Sequence, residues 1–149
     1  MNSFISWVGG KKLLRDFIVC HFPLIHDLYI EVFGGGGWVL FHKLVERGRE
    51  VYNDYNGLLV NLFRCVQNRS KAARMKELLK YSINSREEFD RIRKVMNNPN
   101  ARMPDYRRAA YYYQLIRYSY SSGLDSFGGR PHNIRGDFPN IDMATKRLE

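Results

Sequence analysis

Cysteine is scarce in this chain. Cys20 and Cys65 stand alone, with no second Cys or His at metal-ligand spacing, which excludes a disulfide framework and leaves no expected metal site. Two isolated cysteines read as reduced core residues, and the cytoplasm is the simplest compartment. Long apolar runs are absent too. Nothing approaches the roughly 20 residues that a membrane span requires. The opening Met1-Asn-Ser-Phe-Ile-Ser-Trp7 lacks a basic stretch followed by an apolar one, so no signal peptide is expected. Internal repeats and low-complexity linkers are missing. What is present is a core: 44% of the 149 residues are hydrophobic, enough for one domain, with or without an insertion.

Acidic residues are outnumbered, but only locally. Residues 1–63 hold 6 Lys/Arg and 6 Asp/Glu, residues 64–117 hold 14 and 5, and residues 118–149 hold 4 and 4. The whole net charge of +9 therefore lies in the middle third. Such a surplus suits a surface facing a polyanion, because phosphate neutralisation with counterion release drives nucleic-acid affinity. It equally suits a solvated, solubilising helix face.

The first third alternates helix and strand signals. Apolar spacing over Lys11 to Phe22 predicts a helix closed by Pro23. Leu28 to Phe33 predicts a strand running into Gly34-Gly-Gly-Gly37. A helix is expected over Trp38 to Arg47, stopped at Gly48, and Glu50-Val-Tyr-Asn53 gives a second strand. Strand, glycine loop, helix and strand make a βαβ unit, whose parallel strands place a ligand crevice at their carboxyl ends. The next third reads as helices. They cover Leu58 to Val66, the segment around Met75, Leu78 and Leu79 after a polar break at Gln67-Asn-Arg-Ser70, and a helix opened by a capping box at Ser85-Arg-Glu-Glu88. Phe89, Ile92 and Met96 mark the inner face of that last helix. A further helix runs from Pro104 to Tyr118, in which Tyr111, Tyr112 and Tyr113 cannot all face one side; Tyr111 and Tyr112 read as core. Beyond Tyr120 the turn formers Ser121, Ser122, Gly123, Gly128, Gly129, Pro131 and Asn133 predict loop.

Four glycines between a strand and a helix let a ligand approach the backbone. The dinucleotide fingerprint Gly-x-Gly-x-x-Gly fails here, because its third glycine falls on Val39 or Leu40. An acidic partner does exist: Asp54 lies 19 positions after Gly35, near the spacing of about 20 at which such folds hold a ribose hydroxyl. These features favour an adenosine-containing ligand over a pyrophosphate.

Phe4-Ile-Ser-Trp-Val-Gly-Gly-Lys11 resembles the Phe-x-x-Trp-x-Gly-Gly-Lys motif of Dam-type (class alpha) DNA adenine methyltransferases. Glu31-Val-Phe-Gly-Gly-Gly-Gly37 resembles their Glu-Pro-Phe-x-Gly-x-Gly loop, and Asn53-Asp-Tyr-Asn56 their Asn-Asp-x-Asn. Val32 stands for the usual proline and Ser6 for the usual basic residue. The resemblance implies S-adenosylmethionine as cofactor. Trp7 and Lys11 would line its site, Glu31 with the glycines Gly35 and Gly37 would hold its amino-acid part, and Asp54 would bind the ribose. Gly9, Gly10, Phe33 and Asn56 complete the cofactor-binding set. More loosely, Arg108 to Arg117, Ser122-Gly-Leu124 and the Gly128-Gly-Arg130 loop resemble the family's target-recognition region, with Ser122 in place of the usual asparagine. The residues themselves agree: Arg117, Tyr118, Tyr120 and Arg130 offer cations and stacking groups beside turn formers, a combination suited to phosphates and extruded bases, and the resemblance implies double-stranded DNA as the partner. Arg107 and Arg108 supply phosphate contacts in the basic segment.

The family's catalytic Asp/Asn/Ser-Pro-Pro-Tyr/Phe motif is missing, since no two of the five prolines are adjacent. The expected protein is thus the N-terminal portion of a DNA adenine methyltransferase, a truncated product or half of a split enzyme, with no catalytic residue of its own. The fold class is α/β: an incomplete Rossmann-like methyltransferase domain with a largely helical DNA-recognition insertion. Residues 1–63 form the cofactor part, 64–140 the basic recognition region, and 141–149 the start of the catalytic half. A sheet lacking that half exposes an edge, so self-association is expected. Two rivals remain, a non-catalytic DNA-binding remnant or regulator of the same fold, and an unrelated nucleotide-binding enzyme.

Overall fold

Two short parallel strands, β1 (Leu28–Glu31) and β2 (Arg49–Tyr52), pair with Leu28 opposite Arg49 and Glu31 opposite Tyr52. They anchor the N-terminal third of the computed structural model, which describes residues 1–23, 25–44 and 48–149. The expected βαβ order holds: α1 (Arg15–Cys20) precedes β1, and α2 (Trp38–His42) lies between the strands. Both helices are shorter than the apolar spacing predicts. Residues 12–14 form a turn, closed by Leu14 N donating to the Lys11 carbonyl at 3.1 Å, instead of a first helical turn, and the Lys11 ammonium donates to the Phe33 carbonyl at 2.6 Å. The expected strand stops at Glu31, since Val32 and Phe33 already belong to the glycine loop; the Val32 carbonyl accepts from Asn53 Nδ2 at 2.8 Å. The last part of the expected helix over Trp38 to Arg47, residues 45–47, lies outside the described residues.

The remaining helices are α3 (Gly57–Gln67), α4 (Arg69–Leu79), α5 (Arg86–Met96), α6 (Asp105–Tyr118) and α7 (Phe138–Leu148). The polar break between α3 and α4 shrinks to Asn68, which closes one helix and caps the next by accepting from Lys71 N at 3.0 Å. Ser85 caps α5 as predicted, accepting from Glu88 N at 3.1 Å. The return half of that box is absent: Ser85 N bonds the Ile83 carbonyl, and the Glu88 carboxylate pairs with Arg91 at 2.7 Å. Pro104 sits one position earlier than expected, as the cap of α6, with Arg107 N and Arg108 N donating to its carbonyl.

Helix α6 is the pillar of the core, packing against α3, α4 and α5, while α7 packs on α3 and α4. Leu59, Leu62, Met75, Leu79, Ile92, Tyr112, Tyr113, Ile116 and Ile141 are all fully buried. Tyr111 stays half-buried at the margin with the Arg91 guanidinium 5.5 Å from its ring, so only Tyr112 of the two expected core tyrosines is fully enclosed. Cys65 is buried as expected but Cys20 is exposed, because α1 lies on the surface with no buried residue. Among the described residues, no helix is long and apolar enough to cross a membrane. Helix α7 corrects the expectation of loop beyond Tyr120. Pro139 stands in its first turn, and Ile141, Ala144, Thr145 and Leu148 carry its inner face at helical spacing.

Candidate functional site

The glycine loop is held from three sides. Gly34 N donates to the Asn53 carbonyl at 2.9 Å, Tyr52 Oη to the Gly35 carbonyl at 2.7 Å, and Ser3 Oγ to the Gly36 carbonyl. Gly35 has φ +51°, and a Cβ there would sit 2.9 Å from Trp7 Cδ1. Conformation and space both require glycine at that position. Asp54 clasps the loop onto the start of α3: one carboxylate oxygen accepts from Gly35 N and the other from Asn56 N, each at 2.8 Å. Each oxygen retains a second lone pair. Asn56 is occupied as the cap of α3, accepting from Leu58 N and Leu59 N, and its amide donates to Tyr112 Oη at 2.9 Å. That bond lies on a tyrosine hydroxyl which burial pushes up to about 12.

Glu31 ends β1 with its side chain 6% exposed. Its Oε2 accepts from Tyr29 Oη at 3.0 Å and Leu40 N at 3.2 Å. Its Oε1 is buried and has no hydrogen-bond partner among the described residues; the Lys11 ammonium lies 3.7 Å away, too far to bond. Burial raises the Glu31 pKa, and the bonds from Tyr29 and the Lys11 charge offset this only in part. A buried carboxylate oxygen without a donor is costly, and its chemistry calls for a cationic N–H. Lys11, Tyr29, Glu31 and Phe33 line an open hollow of about 280 Å³ beside β1.

The predicted cofactor residues therefore form adjoining groups. Lys11, Glu31 and Phe33 surround the hollow, Gly35, Asp54 and Asn56 make the clasp, and Trp7 leans on the loop with its ring 6.3 Å from that of Tyr112. Gly10 packs under Trp38, Gly37 caps α2, and Gly9 is exposed with φ +71°. Tyr29 and Tyr52, which hold Glu31 and Gly35, escaped the sequence reading. Their alternation with Glu31 and Asp54 along the strands was the available signal.

The predicted DNA-contact residues are divided. Arg107 is exposed and Arg108 half-buried beside Asn98 and Met103 at the first turn of α6. At the other end of that helix, Arg117, Tyr120 and Arg130 line a cleft of about 420 Å³ together with Ser6, Tyr118 and His132. Arg117 is not a free cation: it makes two hydrogen bonds, at 2.7 and 2.9 Å, to the buried Asp137 carboxylate, which His132 also meets at 2.7 Å. Tyr120 and Arg130 are exposed on the rim. The rim backbone is unusual, with Ser121, Ser122 and Leu124 all at positive φ between 49° and 69°. Such strain concentrates at ligand-binding positions.

Residues 7–130 match the family model of the D12 class N6 adenine-specific DNA methyltransferases. The chain is 31% identical over 141 residues to the DNA adenine methylase of Escherichia coli (strain K12), across 92% of this chain and 46% of that protein. It is 30% identical over 139 residues to the DNA adenine methylases of Salmonella typhi and Serratia marcescens, across 92% of this chain and 46% and 47% of theirs. The chain thus spans about half the length of these relatives. With the family model covering the glycine loop, the Asp54 clasp and the cleft loop up to Arg130, the chain belongs to the D12 class N6 adenine-specific DNA methyltransferase family.

Proposed function

We propose that this chain is the S-adenosylmethionine-binding and DNA-recognising portion of a methyltransferase that methylates the exocyclic amino group of adenine in double-stranded DNA. The observation that carries the cofactor reading is the orphaned Glu31 Oε1, buried beside a glycine loop that Asp54 clasps. An α-ammonium is the donor this oxygen lacks, and the spare lone pairs of Asp54 suit ribose hydroxyls. Trp7 and Phe33 supply apolar surface nearby, and Lys11 suits a carboxylate. When bound, S-adenosylmethionine supplies the electrophilic methyl group; the chain's own residues bind and orient it. Residues 1–63 serve the cofactor and 64–140 the DNA, with Tyr120 and Arg130 on the cleft rim and Arg107 and Arg108 at the opposite end of α6. Without adjacent prolines the chain holds no Pro-Pro catalytic motif, so it transfers no methyl group alone.

The two strands are the beginning of a larger Rossmann-like sheet, and in the isolated chain their uncovered side promotes self-association. A DNA substrate fits the cytoplasm.

Calorimetric titration with S-adenosylmethionine or S-adenosylhomocysteine tests the reading. Asp54→Ala should weaken binding by about 1.5–3 kcal/mol, the scale of a hydrogen bond to a charged group. Equal affinity in both proteins would remove Asp54 from the site. Absence of binding to the wild type would favour the DNA-binding remnant.

A further inference from the structure

One side of α5 carries two arginines, Arg86 and Arg93, flanking the core residue Phe89. Arg86, Phe89 and Arg93 follow one another at helical spacing on the side that faces the segment Tyr120 to Arg130. Arg93 Nη1 donates to the Asp125 carbonyl. The Arg86 guanidinium lies 5.5 Å from the Phe127 ring centroid, and that ring packs 6.0 Å from Phe89. Just before the helix, Asn84 Nδ2 donates to the Arg130 carbonyl at 2.8 Å. As the chain advances from Asn84 into α5 and on to Arg93, its partners descend from 130 through 127 to 125. The segment therefore runs antiparallel along the helix and is tied to it at three levels.

It needs those ties. Internally it has the Ser119–Phe127 bridge and a few backbone bonds, chiefly Tyr120 N to Ser126 O at 2.8 Å and Gly128 N to Tyr118 O at 2.7 Å. Against them stand three non-glycine residues at positive φ, each unfavourable on its own. A strained conformation persists only when its surroundings over-determine it. The cation–π contact and the charged hydrogen bond to a carbonyl are external restraints, added to the packing of Leu124 and Phe127 against the core.

We infer that Arg86 and Arg93 are positioning residues that brace this segment against α5 and so set the shape in which Tyr120 and Arg130 meet DNA. The inference rests on the proposal that the cleft rim contacts DNA. It departs from a plain charge role, in which any cation of the basic third would contribute alike. Lys94 is the natural control: it is exposed, adjacent to Arg93, and has no tie to this segment among the described residues.

The test uses the whole chain with a short adenine-containing duplex, followed by fluorescence anisotropy, alongside amide hydrogen exchange without DNA. Arg86→Ala and Arg93→Ala should speed exchange at Tyr120 and Gly128 and weaken duplex affinity about three- to tenfold, while Lys94→Ala stays within about twofold of wild type. Arg86→Ala and Phe127→Ala combined should cost no more than the larger single change, because both break one contact. Equal weakening by Arg93→Ala and Lys94→Ala, or strict additivity in the Arg86–Phe127 cycle, would overturn the brace. Unchanged exchange in both arginine variants would overturn it whatever the DNA result. A wild-type chain that binds no duplex at low salt would instead sink the DNA reading, and with it the role given to the brace.

Discussion

The helical half and the sheet half of this molecule solve the problem of burial differently. In the helical half, α6 is surrounded, and Leu59, Leu62, Tyr113 and Ile116 are sealed from solvent. In the sheet half, Ile30 is 52% exposed in the middle of β1, and Leu13 before α1 and Phe17 within it are 92% and 65% exposed. A strand of alternating or continuous apolar residues normally has both faces or one face covered. Here the helices complete their own core while the strands and α1 present apolar side chains to water. One half seals its apolar side chains among its own helices, and the other leaves apolar side chains of β1 and α1 open to solvent.

The largest test of that contrast is mutational. Leu62→Ala should destabilise the chain by about 3–4 kcal/mol, the transfer and cavity cost of a sealed leucine. Ile30→Ala should cost under about 1 kcal/mol, because half of that side chain is already wet. Urea unfolding measures both, and similar losses at the two positions would erase the distinction.

A second test concerns the uncovered side. Light scattering across a dilution series should show association of the wild-type chain, and Ile30→Lys should weaken it by about tenfold or more, as expected for a charge placed at the centre of an apolar contact. A concentrated wild-type monomer would break the comparison from the sheet side.

The finest test is by pH, because the two strands carry carboxylates of opposite character. Burial alone would raise Glu50, but hydrogen bonds from Arg147 and Lys43 outweigh it and the net pKa is lowered. Its contribution is therefore complete above the unfolded carboxyl value of about 4.3 and is lost as pH falls through the lower folded value. Glu31 is raised, chiefly by burial. The folded state holds that proton longer, so stability is fullest below about pH 4.3 and declines as pH rises through the raised value. Glu50→Gln should flatten the acid limb of the urea midpoint against pH, and Glu31→Gln the decline at higher pH. Identical profiles for the two variants would contradict the assignment of opposite shifts.

The motifs that made the site legible were those in which backbone geometry dictates residue type. The glycine at Gly35, the acid at Asp54 and Ser85 at a helix start were readable because few residue types serve there, whereas the capping by Asn68 and the bond from Gly35 N to Asp54 emerged only in the fold. The pairing of Arg117 was not legible, because Asp137 lies 20 residues away and is brought near only by tertiary packing. Arg86 and Arg93 were hidden in the charge surplus for the same reason: a count of cations does not tell which ones touch a loop. Helix α7 was legible in principle, through Pro139 and the spacing from Ile141 to Leu148, but the glycines before it drew the whole segment into the loop.

The five-residue helix α2 has a consequence for the order in which the molecule assembles. Its last carbonyls are satisfied from far away: the N-terminal ammonium donates to Phe41 O at 2.8 Å across 40 residues, and Arg147 donates to Leu40 O at 3.0 Å across 107. A helix of one and a half turns does not persist alone, and contacts of such sequence separation are slow to form. During synthesis the segment between the strands therefore leaves the ribosome early yet waits for Arg147 before it is complete. Pulse-labelled hydrogen exchange should find the amides of α3, α4 and α6 protected before those of α2, so that a segment made before those helices becomes native after them.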